Sequence, residues 1–149
     1  ISGDAPALAG DKDMLRRAFS NLLSNAIRHA SANSRINAEL SYSATSGWTI
    51  AISNFGDAIA PAHLACLFDR FYRVDPSRQR QGEGAGLGLA IVKSIVELHG
   101  GTIFASSEVA GSEVAISEMA SSEVATTAQA AEQKTKAALV TFVIQIAAN

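Results

Sequence analysis

The chain has 149 residues, 48% of them apolar, enough to bury the core of one domain of ordinary size. No run approaches the ~18 apolar residues of a membrane span, and a formal net charge of −2 gives no electrostatic reason to expect nucleic acid as a partner. One cysteine, Cys66, excludes an internal disulfide and fits a reducing cytosol. Its place in the short apolar stretch before Leu67 and Phe68 reads as a small buried hydrophobe, and no Cys/His spacing suits a metal. The start at Ile1, without Met or a secretory signal, reads as a fragment of a longer chain.

From Asp11 to Ala30 the residues Met14, Leu15, Ala18, Phe19, Leu22, Leu23, Ala26 and Ile27 recur at three- and four-residue steps, which predicts a helix with one buried face. Asp11 or Asp13 can cap its start. Asn21, Asn25 and Arg28 fall at i, i+4 and i+7, a stripe of two amides and a guanidinium beside that face. An amide oxygen is a hard neutral ligand suited to Mg²⁺, which takes few protein ligands when phosphates supply the rest. Arg28 could then meet a phosphate oxygen and His29 could lie against a base. The plainer reading of the stripe is a solvated polar edge.

Arg35 to Tyr42 alternates as a strand, Ser46-Gly47 makes a turn, and Trp48 to Ser53 returns as the antiparallel neighbour. Pro61 to Phe68 is a short predicted helix with Pro in its first turn, and Asp69 to Glu83 is an irregular connection. Arg70, Arg73, Arg78 and Arg80 gather there, either to screen a polyphosphate or simply as a solvated loop. Gly82 to Leu89 reads GEGAGLGL and runs straight into a helix predicted over Leu87 to His99 and ended by Gly100-Gly101. Glycines at 82, 84, 86 and 88 permit positive φ and close approach of a ligand, and the unpaired N–H groups of the helix start make an anion site, most simply for a polyphosphate. His99, in the last turn, reads as a helix-terminus residue.

Thr102 to Ala105 and Val140 to Ile146 are the last two predicted strands. Between them Ser-Glu-Val/Met-Ala recurs every five residues from Ser107 to Ala125. A five-residue step turns a helix by about 140° beyond a full circle and flips the face of a strand, so the repeat is not an amphipathic element. In-frame duplication of a short stretch accounts for the period as well as a solenoid does. Thr127 to Leu139 is rich in helix formers, with Glu132 and Lys136 at i, i+4, and predicts a helix.

NLLSNAIRHA, Asn21 to Ala30, resembles the N box of sensor histidine kinases, and GEGAGLGLAIVKSIVELHGG, Gly82 to Gly101, resembles their G2 box. ISNFGDAI, Ile52 to Ile59, stands in the place of the G1 box, and LFDRFYRVDPSRQR, Leu67 to Arg80, resembles the F box followed by the start of the ATP lid. These motifs stand in family order at family spacing over about residues 1 to 106, and VDPSR with the Asn-for-Asp G1 box is most similar to the copper- and silver-sensing branch.

The resemblance implies an α/β two-layer sandwich, a mixed and mainly antiparallel sheet under a layer of helices, in the Bergerat ATP-binding fold. It implies a single catalytic domain over 1 to 149, with 107 to 138 as a low-complexity insert where the family has a short turn. ATP and Mg²⁺ are the implied cofactors. By matching position Asn25 carries the metal, Asn21 supports phosphate or metal, Arg28 contacts phosphate and His29 flanks the adenine. Asn54, Gly56 and Ile59 fall in the G1 box, Phe71 and Arg73 in the F box, and Gly82, Gly84, Gly86, Leu87 and Gly88 in the phosphate loop. Asn54 replaces the usual Asp that accepts a bond from the adenine amino group, and Ala58 replaces a second glycine; the amide can accept, without the charge assistance of a carboxylate.

The implied reaction is transfer of the γ-phosphoryl group of ATP to a histidine on an upstream dimerisation and phosphoacceptor domain, with a cognate response regulator downstream. His29, His63 and His99, the three histidines, lack the sequence context of that acceptor. The implied location is the cytoplasmic side of a membrane-anchored bacterial sensor, with no membrane or nucleic-acid contact by this domain. Two alternatives remain at this level: a regulatory nucleotide-binding module without kinase activity, and another ATPase of the same fold. The gyrase and chaperone group would need a general-base Glu on the first helix, and none lies between Asp11 and Ala32.

Overall fold

The computed structural model describes residues 6–74, 85–109 and 137–147. In chain order the elements are α1 (Lys12–His29), β1 (Ile36–Ser43), β2 (Gly47–Asp57), α2 (Pro61–Leu64), α3 (Gly88–Leu98), β3 (Gly101–Val109) and β4 (Ala137–Ile146). The strands form one sheet in the order β1-β2-β4-β3. Every pairing is antiparallel, so the parallel component of a mixed sheet is not seen among the described strands. Helices α1 and α3 cover one face, giving the expected two-layer sandwich.

Period-two alternation on the central strands builds the sheet side of the core. Trp48, Ile50 and Ile52 of β2 and Val140, Phe142, Ile144 and Ile146 of β4 point to the helices, with Phe142 and Ile144 fully buried. Helix α1 answers with Ala18, Leu22 and Ala26, and α3 with Ala90, Val92, Ile95 and Val96. Alanine at 18 and 26, both wholly buried, lets α1 lie close to the sheet. Asp11 caps α1, its Oδ1 accepting from the backbone N–H groups of Asp13 and Met14 at 2.9 Å each.

Several details differ from the sequence-based expectation, among them the end of β2, which runs on from Ser53 to Asp57. The buried face of α1 is narrower: Met14, Leu23 and Ile27 are exposed, Ile27 by 66%, because the sheet covers only the stripe through Ala18, Leu22 and Ala26. Helix α2 stops at Leu64, and the chain to Phe68 continues in turns closed by Cys66 N–H to His63 O and Asp69 N–H to Cys66 O. Cys66 is half-buried rather than buried.

The last hairpin is also longer than expected. Val109 pairs with Ala138, so Ser107 to Val109 and Ala137 to Ala138, given above to the insert, are strand. The same register takes Ala137 to Leu139 from the helix expected over 127 to 139, and the rest of that helix lies outside the described residues. Ala138 is completely buried, and that burial holds the ladder together to its end.

Candidate functional site

The carboxyl-terminal half of α1, the end of β2 and the start of α3 are fastened to one another by short-range contacts. Ala30 bridges Gly56, and Ser31 N–H donates to Phe55 O at 2.7 Å. Gly56 has to be glycine, since a Cβ there would collide with the carbonyl oxygen of His29. Four residues before Asn25 on α1, Asn21 donates from Nδ2 to the carbonyl oxygen of Gly88 at 3.4 Å, a long bond that ties α1 to the first turn of α3. Asn21 is therefore engaged with the start of α3 in this structure. Asn25, half-buried, has no hydrogen-bond partner among the described residues, which leaves its amide oxygen available to a ligand.

Of the phosphate loop, Gly82 and Gly84 lie outside the described residues, as do Arg78 and Arg80. Gly86 has φ +69°, and a Cβ there would come within 2.9 Å of the backbone at Phe71 and Tyr72. Its carbonyl accepts from Phe71 N–H at 3.0 Å, joining the F-box stretch to the G2-box stretch. Phe71 itself has φ +65°, a conformation uncommon for a side-chain-bearing residue, and its ring is 69% exposed. Gly88 does not show the positive φ expected of it: it is the first residue of α3, and a Cβ there would meet nothing within 4 Å. The space is open toward the side on which a phosphate would approach the helix start. Leu87, half-buried, stands just before it.

Asn54 is the buried polar residue of the core, 1% exposed, on the helix-facing side of β2 among Ile50, Ile52 and Gly56. Its Nδ2 has no hydrogen-bond partner. A buried amide donor left unpaired costs about 1–3 kcal/mol, so a ligand edge that pairs it recovers that energy. Arg28 and His29 are exposed at the end of α1, and Arg73 is half-buried in the F-box stretch. Ile59 is half-buried and packs on the core, with its N–H donating to Ser107 Oγ at 3.0 Å.

Three supports were not legible beforehand. Ser107 was hidden in the repeat. His63 Nδ1 and Tyr72 OH lie 2.6 Å apart and pin the F-box turn to α2. Phe68 packs edge-on against Phe142, with ring centroids 6.3 Å apart, and fixes the same turn to the sheet. A hollow of about 450 Å³ lined by Leu8, Leu15, Phe19 and Leu23 lies toward the start of α1 and includes none of the site residues. Among the described residues no His/Cys/Asp/Glu cluster is arranged to hold a metal ion, and no helix is long and apolar enough to cross a membrane.

A buried unpaired amide on β2, a left-handed glycine two residues before α3 and, on α1, an amide without a hydrogen-bond partner among the described residues are the polar groups that these elements offer to a ligand. The family model described as "Histidine kinase-, DNA gyrase B-, and HSP90-like ATPase" matches residues 10–123, and the chain belongs to that family. Sensor histidine kinase CusS of Escherichia coli K12 is 53% identical over 109 residues, 73% of this chain and 22% of that protein. Probable sensor kinase SilS of Salmonella typhimurium is 53% identical over 100 residues, 67% of this chain and 20% of its own length. The chain thus spans about a fifth of the curated relatives it matches. In three dimensions it is similar to the mycobacterial sensor histidine kinase MprB, with a TM-score of 0.66 at 24% identity over 95% of this chain and 78% of that one. The catalytic domain of histidine kinase ThkA aligns with a TM-score of 0.58 at 22% identity, covering 93% of this chain and 70% of that one. These two likenesses show the fold, a four-stranded antiparallel sheet with helices on one face.

Proposed function

We propose that this chain is the ATP-binding catalytic domain of a two-component sensor histidine kinase of the heavy-metal-sensing branch, presenting Mg-ATP to a histidine on a separate dimerisation domain. Asn54 carries the reading: an otherwise apolar strand face ends in a buried amide with an unpaired donor, which suits the hydrogen-bonding edge of a purine. The residues present fit the nucleotide. Asn54 pairs the base edge, His29 and Ile59 flank it, and Phe71 and Leu87 supply apolar cover. The backbone from Gly86 to Gly88, at the start of α3, faces the phosphates with its N–H groups, and Gly82 and Gly84 extend that loop. Arg28 and Arg73 offset phosphate charge. Asn25 holds Mg²⁺ through its amide oxygen, with Asn21 fixing the geometry of the loop behind it.

When bound, Mg-ATP supplies the γ-phosphoryl group and the metal charge that offsets the negative charge developing on transfer. The chain's own contribution is placement: the rigid α1–β2 junction holds the base, and the α3 start orients the phosphates toward the acceptor domain. That domain lies upstream in the same kinase, the product phosphohistidine serves a response regulator, and the domain works on the cytoplasmic side of an anchored sensor. Titration calorimetry of Mg-ATP into this chain, repeated with Asn25→Ala, tests the reading. ATP should bind with a metal-dependent gain that the variant loses. Equal Mg-ATP affinity in the two proteins would remove Asn25 from the site.

A further inference from the structure

We infer that Asn54 makes this site tolerant of the group at purine position 6, so that inosine triphosphate binds nearly as well as ATP; the inference rests on the nucleotide reading given above. Adenine presents a 6-amino donor beside the N1 acceptor. Hypoxanthine presents the reverse, a 6-oxo acceptor beside an N1–H donor. A carboxylate at position 54 offers acceptors only, so the 6-oxo group would face lone pairs with lone pairs. An amide offers one oxygen and one NH₂, and exchanging them takes a half-turn about its last torsion.

On its Nδ2 side the amide is not held by a hydrogen bond. Nδ2 of Asn54 has no partner among the described residues, so no hydrogen bond to it is lost when the amide reverses. Gly56 keeps the space beside the amide clear, since a Cβ there would stand 3.1 Å from Nδ2. The glycine itself cannot be exchanged, because the same Cβ would collide with the His29 carbonyl. With the residue 1% exposed, no bulk water competes to pair a mismatched base edge, and the amide has to do so itself. A buried site discriminates by leaving the wrong ligand's polar groups unpaired, and a reversible amide leaves neither edge unpaired.

The test titrates the full chain with Mg-ATP and Mg-ITP, for the native protein and for Asn54→Asp, with circular dichroism to verify folding. Inosine differs from adenosine at position 6 and N1 and has no 2-amino group to add contacts. The native chain should bind the two nucleotides within about fivefold of each other, and Asn54→Asp should raise the preference for ATP at least tenfold. A native chain that binds ATP but prefers it to ITP by more than about fivefold overturns the inference while leaving the ATP reading standing. A folded Asn54→Asp variant with the native ratio overturns it as well. Binding of neither nucleotide by the native chain would overturn the ATP reading and this inference together.

Discussion

Gly86 and Gly88 sit two residues apart in the same motif, yet the structure gives them opposite physical roles. Gly86 holds φ +69° against the backbone of Phe71 and Tyr72, so Gly86→Ala should destabilise the fold by about 1–3 kcal/mol through strain and collision. Gly88 is helical, with open space where a Cβ would go, so Gly88→Ala should leave stability equal or higher by up to about 0.5–1 kcal/mol. The same Cβ would occupy the approach to the α3 start, and nucleotide affinity should fall although the fold gains. Urea unfolding and Mg-ATP titration of the two variants separate these effects, and a Gly88→Ala variant with native affinity would place the phosphates elsewhere. At Asn54, replacement by Leu should weaken ATP binding by about 1–3 kcal/mol, because the base edge would face an apolar group. An Asn54→Leu variant that binds as tightly as the native chain is the outcome that would remove residue 54 as the base reader.

At the level of elements, the ends of α1 and α3 are locked together by one imidazole. His99 donates from Nδ1 to Ile95 O at 2.7 Å and accepts at Nε2 from Asp11 N–H at 3.0 Å. The ring therefore joins the carboxyl end of α3 to the capping residue of α1, a role that its place in a last turn does not disclose. His99→Ala should cost about 0.5–1.5 kcal/mol of stability by removing the bond that joins the Asp11 N–H to α3, while Mg-ATP affinity stays near native because the lock lies at the opposite end of α1 from Asn25. Loss of affinity out of proportion to loss of stability would show that α1 shifts as a unit. The elements that could be read in advance are those with a long apolar period: α1 and α3 lie within one residue of their expected bounds, and the β1–β2 hairpin keeps its turn at Gly47. The α2 end could not be read, since Pro61 to Phe68 carries helix-compatible residues whose course is decided by Phe68 docking on Phe142. The ends of β2, β3 and β4 were hidden for a related reason. Strand length is set by the partner strand, and Ser107 to Val109 has a helix-neutral, repeat-like composition until Ala138 lies opposite it.

For the whole molecule, the candidate site was legible as four motifs, but the contacts that join them were not. The contacts that gather them, Ala30 to Gly56, Asn21 to Gly88 and Phe71 to Gly86, each span a sequence separation that no local pattern reports. His63 is engaged with Tyr72, and His99 is tied at both ring nitrogens; in the function proposed above, His29 flanks the base and the acceptor histidine belongs to another domain. Incubation with Mg-ATP should therefore give no stoichiometric acid-labile phosphate on this chain, and supplying the upstream dimerisation domain should direct label to that domain. Labelling of any of the three histidines here would contradict the division of labour.

The last hairpin separates what the fold needs from what it tolerates. Val109 and Ala138 are paired in register, Ala138 is wholly buried, and Ser107 accepts the Ile59 N–H, so the strand ends are part of the sandwich. Residues 110–136, which include most of the five-residue repeat, lie outside the described residues and between those ends. Closing a loop costs only about 0.6 kcal/mol more per doubling of its length, so shortening this connection to three residues, about three doublings, recovers about 2 kcal/mol at most. Replacing 110–136 by a three-residue linker ending in Asn-Gly gives Ala137 a cross-strand partner and closes a two-residue turn. That variant should keep Mg-ATP affinity within about a factor of three and be equally stable or more so, by no more than that amount. Deleting 107–138 instead removes the Ser107 hydroxyl and the buried Ala138 and should lose stability, by about 1–3 kcal/mol for the unpaired Ile59 N–H and the lost ladder together. Thermal unfolding and Mg-ATP titration of the two deletions decide the matter: the shorter deletion intact and the longer one weakened is the expected pair. A large loss of nucleotide affinity in a well-folded 110–136 deletion would show that the segment takes part in the site.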